Sequence, residues 1–100
     1  MAYDYSTTEQ RALETGEMEL VIDVDPDAAT GNITITGYTS VRVVGVVTLI
    51  EDTTANTDQI VVQALRDGST LNKINLKLWK TSHVAAGTYK DFRLLVRGIR

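Results

Sequence analysis

One hundred residues set the scale of a single domain, with a core just large enough to fold without staples. The absence of Cys excludes disulfides, a thiol nucleophile and thiolate metal sites, and a net charge of −3 argues against a nucleic-acid partner. The longest apolar run, about ten residues, is too short to cross a bilayer, and MAYDYSTTEQ lacks the basic and apolar regions of a secretory signal.

The expected organisation is an N-terminal arm or short helix over 1–16 followed by a β-sandwich domain over 17–100. Ser6 and Glu9 have capping-box spacing, TEQRALE favours helix, and Gly16 fits a helix stop. Only Ala12 and Leu13, with Tyr3 and Tyr5 ahead of them, give this segment anything to bury. It must dock on its own domain, dock on a neighbour or fray. An arm held by contact, with Tyr3, Tyr5 and Leu13 as its grips, is the expectation.

From Glu17 to Asp25 the chain alternates, with Met18, Leu20, Ile22 and Val24 on one face and an acidic set on the other. Pro26–Gly31 supplies turn chemistry, and Asn32–Thr36 alternates again with Ile33 and Ile35 inward. Ser40–Glu51 (SVRVVGVVTLIE) is apolar, Gly or Thr at every inner position except Arg42. A run so short and so rich in β-branched residues predicts a strand buried on both faces, around which the others are placed. Gly45 within it marks either a bulge or a close backbone approach.

Asp52–Asp58 reads as a polar loop, Gln59–Leu65 as a strand, and Asp67-Gly68 as a turn. Lys73–Lys80 alternates, with Trp79 on the lysine side. Thr81–Thr88 reads as a connection, and Asp91–Ile99 as a last strand with Phe92, Leu94 and Val96 on one face. The fold class is therefore all-β: an antiparallel sandwich or small barrel of five to seven strands.

Charge is unevenly spread. Residues 1–58 hold eleven acids and two bases (net −9), and residues 59–100 hold two acids and eight bases (net +6). Either acidic strands lie beside basic ones in one sheet, or one copy's acidic surface meets another's basic surface or an unrelated partner. Lys73, Lys77, Lys80, Arg93, Arg97 and Arg100 are candidates for a basic sheet face, with Trp79 and Tyr89 the only aromatics to interleave with them.

Motifs for chemistry are few. Asp23, Asp25 and Asp27 have D-x-D-x-D spacing, but an EF-hand fails at its sixth and twelfth positions, Ala28 and Thr34. Asp23 and Asp25 fit a solvated strand end instead. His83 is the single histidine, and no nucleophile–base arrangement or phosphate-cradling glycine motif accompanies it. The expectation is no enzyme activity, no cofactor and no metal.

Trp79 either stacks on a sugar, base or protein partner, or covers the sheet edge. Val21, Leu95 and Ile99 are apolar on faces that otherwise carry charge, which with the arm points to an oligomer.

The segments GNITITGYTSVRVVGVV, NKINLKLWKTSHVAAGTY and FRLLVRGIR, in a short, Cys-free, Thr/Val/Gly-rich chain, carry a resemblance. From about Asn32 to Arg100 the chain is similar in texture to small accessory proteins of tailed-bacteriophage particles, of the capsid-decoration type. The resemblance implies a non-enzymatic structural protein of the virion, made in the host cytoplasm. It also implies a homo-oligomer, with a trimer favoured, bound to a major capsid protein lattice. The partner-binding residues expected on this reading are Tyr3, Tyr5, Leu13, Trp79, Arg93 and Arg97. A carbohydrate- or surface-binding module using Trp79 is the alternative, with no membrane partner.

Overall fold

In a computed structural model, residues 2–49, 60–80 and 92–100 are described. They form seven strands and no helix: β1 (Asp4–Ala12), β2 (Met18–Asp25), β3 (Thr30–Thr34), β4 (Ser40–Leu49), β5 (Ile60–Arg66), β6 (Lys73–Lys80) and β7 (Phe92–Ile99). The loop expected over 52–58, the connection over 81–88, His83 and Tyr89 lie outside the described residues.

Two antiparallel sheets result, a four-stranded one in the order β1-β2-β7-β4 and a three-stranded one in the order β3-β6-β5. Their inner faces share one core. Leu20, Ile22, Val24, Val41, Phe92, Leu94 and Val96 come from the first sheet, and Ile33, Ile74, Leu76 and Leu78 from the second. All but Val41 fall inward by the two-residue alternation of β2, β3, β6 and β7, which is what a sheet wet on one side requires.

The N-terminal helix is not formed. Residues 4–12 are a strand whose Thr8 hydroxyl donates to the Val21 carbonyl (3.0 Å) and whose Arg11 reaches Glu19. Helix propensity over TEQRALE is a weak prior, and with no apolar stripe to bury, the ladder to β2 decides the outcome. Gly16 does adopt φ +85°, but it closes the β1–β2 hairpin, donating its N–H to the Leu13 carbonyl (3.1 Å).

β4, expected at the centre and buried on both faces, is an edge strand among the described residues. Arg42 is exposed and Val44 and Gly45 are half-buried. Its register shifts fall between Val41 and Val43 and between Val46 and Thr48, on either side of Gly45. The centre belongs to β2 and β7 instead. β7 joins β2 to β4 although more than 65 residues separate β2 from it.

Hydrogen bonds tie the sheets together on both sides. On one side the Tyr3 N–H donates to the Asn32 carbonyl (2.8 Å), and the Tyr5 hydroxyl donates to the Thr34 carbonyl (2.9 Å). On the other, the Val41 N–H donates to the Leu71 carbonyl (2.8 Å). Residues 2–3 run beside β3 before the chain enters the four-stranded sheet.

Two tyrosine rings lie against strand glycines. The Tyr3 ring covers Gly31, and its hydroxyl donates to the Ala28 carbonyl. The Tyr38 ring covers Gly98, and its hydroxyl donates to the Met18 carbonyl (2.8 Å). A Cβ at Gly31 would enter the Tyr3 ring, and one at Gly98 would strike the Ser40 carbonyl oxygen first and the Tyr38 ring next, whereas one at Gly45 would meet nothing within 4 Å. Gly31→Ala and Gly98→Ala should therefore each lose about 1–3 kcal/mol, the usual cost of overpacking. Gly45→Ala should leave the urea midpoint unchanged within error.

The β5–β6 turn is built on Asp67. One carboxylate oxygen accepts the N–H groups of Ser69 (3.0 Å) and Thr70 (2.8 Å), and the other accepts the Asn75 amide (3.0 Å). These bonds, the Thr70 N–H first among them, hold the carboxyl down to about 2. Since the folded value lies below the unfolded one, the ionised group adds stability above pH about 4, and this is lost as pH falls towards about 2. In urea titrations, Asp67→Ala should be less stable than the parent at pH 6, with the gap narrowing progressively below pH about 4.

Candidate functional site

The outward residues of the two sheets form two surfaces of different character. On the four-stranded sheet, register places side chains in rows running across the strands. Arg11, Glu19 and Arg97 make one row. Glu9, Val21, Leu95 and Gly45 make the next, and Ser6, Asp23 and Arg93 a third.

Glu19 is only 9% exposed although it points away from the core. Two guanidinium groups flank it, Arg11 at 2.8 Å and Arg97 at 3.3 Å. Arg97 Nε is buried and has no hydrogen-bond partner among the described residues. Arg93 grips Asp23 with two nitrogens, Nε at 2.7 Å and a terminal nitrogen at 3.2 Å. That charge-assisted hydrogen bond lowers the Asp23 carboxyl, outweighing desolvation, and raises the Arg93 guanidinium.

The uneven charge of the sequence is thus met in good part within one sheet, where acidic β2 lies against basic β7. Between these ionic rows, Val21 and Leu95 floor a shallow depression of about 510 Å³ rimmed by Glu9, Gln10, Arg11 and Glu19.

The three-stranded sheet presents another surface. Val61 and Leu65 of β5 are 50% and 59% exposed. Trp79 lies across from Val61, half-buried, with its indole N–H donating to Gln63 Oε1 (3.1 Å). Lys77 Nζ sits over the indole, 6.0 Å from the ring centroid. The ring is therefore oriented by its neighbours, and one of its faces is shared with a cation.

The residues expected to bind a partner do not form one surface. Tyr3, expected in a grip on a neighbour, is enclosed in its own core at 4% exposure. Tyr5 is half-buried, its hydroxyl spent on Thr34 and on the Thr36 N–H (3.3 Å). Leu13 is half-buried in the hairpin turn. Trp79 lies on one sheet, and Arg93 and Arg97 on the other.

The single basic face is likewise divided, since Lys73 and Lys77 stand on β6 and Arg93 and Arg97 on β7. Asp23, the first of the acidic triplet, is engaged by Arg93, and Asp25 and Asp27 are exposed. Val61 and Leu65 were not singled out from the sequence. Their signal is that β5 is apolar at both parities, which alternation alone leaves unassigned.

Glu19 holds two cations apart in a covered position, whereas Asp23 and Arg93 sit partly in water. Glu19→Ala should cost on the order of 1–3 kcal/mol, since it leaves two close guanidinium groups without their acid. Asp23→Ala should cost below about 1 kcal/mol, an ordinary surface-pair value. Urea unfolding at low and high salt reads both, and only the Asp23 effect should be largely screened. No protein-family model, no curated protein and no solved structure matches the chain.

Proposed function

We propose that the chain is a non-enzymatic structural protein, a β-sandwich that decorates a virus particle by binding its shell and assembling with its own copies. The observation that supports it best is the outer face of β5 and β6. Val61 and Leu65 stand half or more in water beside Trp79 on a strand at the end of its sheet. An apolar strip on a regular strand is costly for a free monomer and useful to a protein that lies on a broad surface. The described depressions are shallow and open, and Arg11, Glu19, Asp23, Arg93 and Arg97 on the four-stranded sheet are spent on one another. The resemblance of residues from Asn32 onwards to phage decoration proteins supports a particle as the partner.

A carbohydrate-binding module is the second reading, favoured by Trp79 standing among Gln63, Asn75 and Lys77 on an outward sheet face. The lysine over the ring weighs against it, because a stacking sugar must displace that cation first.

Co-sedimentation with phage shells stripped of accessory proteins tests the first reading. The full chain should pellet with shells, and Val61→Lys combined with Leu65→Lys should weaken binding at least tenfold while keeping the native melting curve. A full chain that stays in the supernatant, with Trp79→Ala abolishing capture on a glycan array, would replace the first reading by the second.

A further inference from the structure

The outer face of the four-stranded sheet is complementary to itself. Across β2 and β7, each row pairs unlike residues: Glu19 with Arg97, Val21 with Leu95 and Asp23 with Arg93. We propose that this face is the interface between two copies of the chain, related by a twofold axis that runs parallel to the strands midway between β2 and β7. The inference takes the assembling role proposed above as given and names the surface and symmetry through which it occurs.

The geometry follows from the register alone. Such an axis leaves each row at its own height and exchanges β2 with β7. Glu19 then faces the second copy's Arg97, Asp23 faces its Arg93, and Val21 faces its Leu95. Rotation about the perpendicular in-plane axis would set Glu19 over Asp23 and Arg97 over Arg93, opposing like charges in both outer rows. Electrostatics therefore select one of the two symmetric arrangements.

Three further observations agree. Over the three rows, three arginines (Arg11, Arg93, Arg97) balance three acids (Glu9, Glu19, Asp23), so two faces meet without net repulsion. Gly45, with open space above it, lies opposite the second copy's Glu9 and leaves room for that side chain. Both edges of this sheet carry register shifts, at Thr7/Glu9 in β1 and twice in β4, which discourages association edge to edge and leaves the face.

Size is sufficient. Four strands about 4.8 Å apart and about 25 Å long present roughly 500 Å² per copy, so the pair buries roughly 1,000 Å², the lower limit of a specific interface. Packed sheets cross at about 30°, which moves the outer rows by about 3 Å, within the reach of Arg and Glu side chains. An interface of this kind gives even copy numbers, a dimer or a dimer of higher rings, and not the lone trimer that the resemblance favours.

The test is a charge exchange read by sedimentation equilibrium of the full chain. Asp23→Arg makes that row wholly basic and Arg93→Asp makes it wholly acidic. Wild type should have an even multiple of the protomer mass. Each variant alone should have half that mass or a dissociation constant at least tenfold weaker, and an equimolar mixture of the two should recover wild-type assembly. Near-UV circular dichroism of Trp79, on the other sheet, monitors the fold. Should either variant lose that signal, Val21→Thr with Leu95→Thr, which leaves every ion pair intact, must weaken assembly at least tenfold. A wild-type protomer that stays single at millimolar concentration overturns the interface, as do variants that assemble like wild type or a mixture that fails to recover. Shell co-sedimentation decides the decoration role separately, because it involves the other sheet.

Discussion

The register between β2 and β7 is the constraint on which the rest of the molecule depends. At each step along this pair, an inward apolar residue alternates with an outward charged or apolar one, so one alignment satisfies two demands. Leu94 and Val96 reach the core opposite Ile22 and Leu20, and Arg93 and Arg97 meet Asp23 and Glu19. A slip of one residue would turn the arginines inward and the core residues out, a change that no neighbouring contact offsets. The other strands of this sheet are hung on that pair. β1 adds to β2 through a local hairpin, and β4 adds to β7 with two irregularities that take up the mismatch.

Much of this was legible in the sequence, because alternation reports which face is wet. The inward residues of β2, β6 and β7 follow from it directly, and so does all-β architecture. What alternation does not report is which strand stands beside which. β2 pairs with β7, β3 with β6 and β4 with β7, all across long stretches of chain, and nothing in a strand's own residues names a distant neighbour. Hence the most apolar run, Ser40–Leu49, reads as central yet lies at an edge, and the cations divide between two sheets.

The error at the N-terminus has a different origin. Gly16 is where the chain reverses, as its identity says, but a left-handed glycine ends a helix and closes a hairpin equally well. Only the missing apolar stripe over residues 7–13 separates the two, and the strand that forms is held by its ladder and by Arg11 more than by burial. Tyr3 shows the same limit. An aromatic near a terminus reads as a grip on a neighbour, and the vacancy left by Gly31's missing side chain makes it a piece of the core instead.

The long connection between β2 and its partner β7 also bears on how the chain is made. While a ribosome has delivered β1 to β6, the three-stranded sheet and the β1–β2 hairpin are complete, but β2 still shows an unpaired side and β4 has no ladder partner. Synthesis at about 5–20 residues per second leaves β2 waiting for seconds before β7 emerges from the exit tunnel. During that interval Leu20, Ile22 and Val24 lie on a sheet that has no centre. The acidic outer residues, Glu19 paired so far only with Arg11 and Asp23 still without Arg93, then leave the nascent segment a net negative charge that keeps copies on neighbouring ribosomes apart. The residues that later bind β7 act, for that time, as gatekeepers against aggregation.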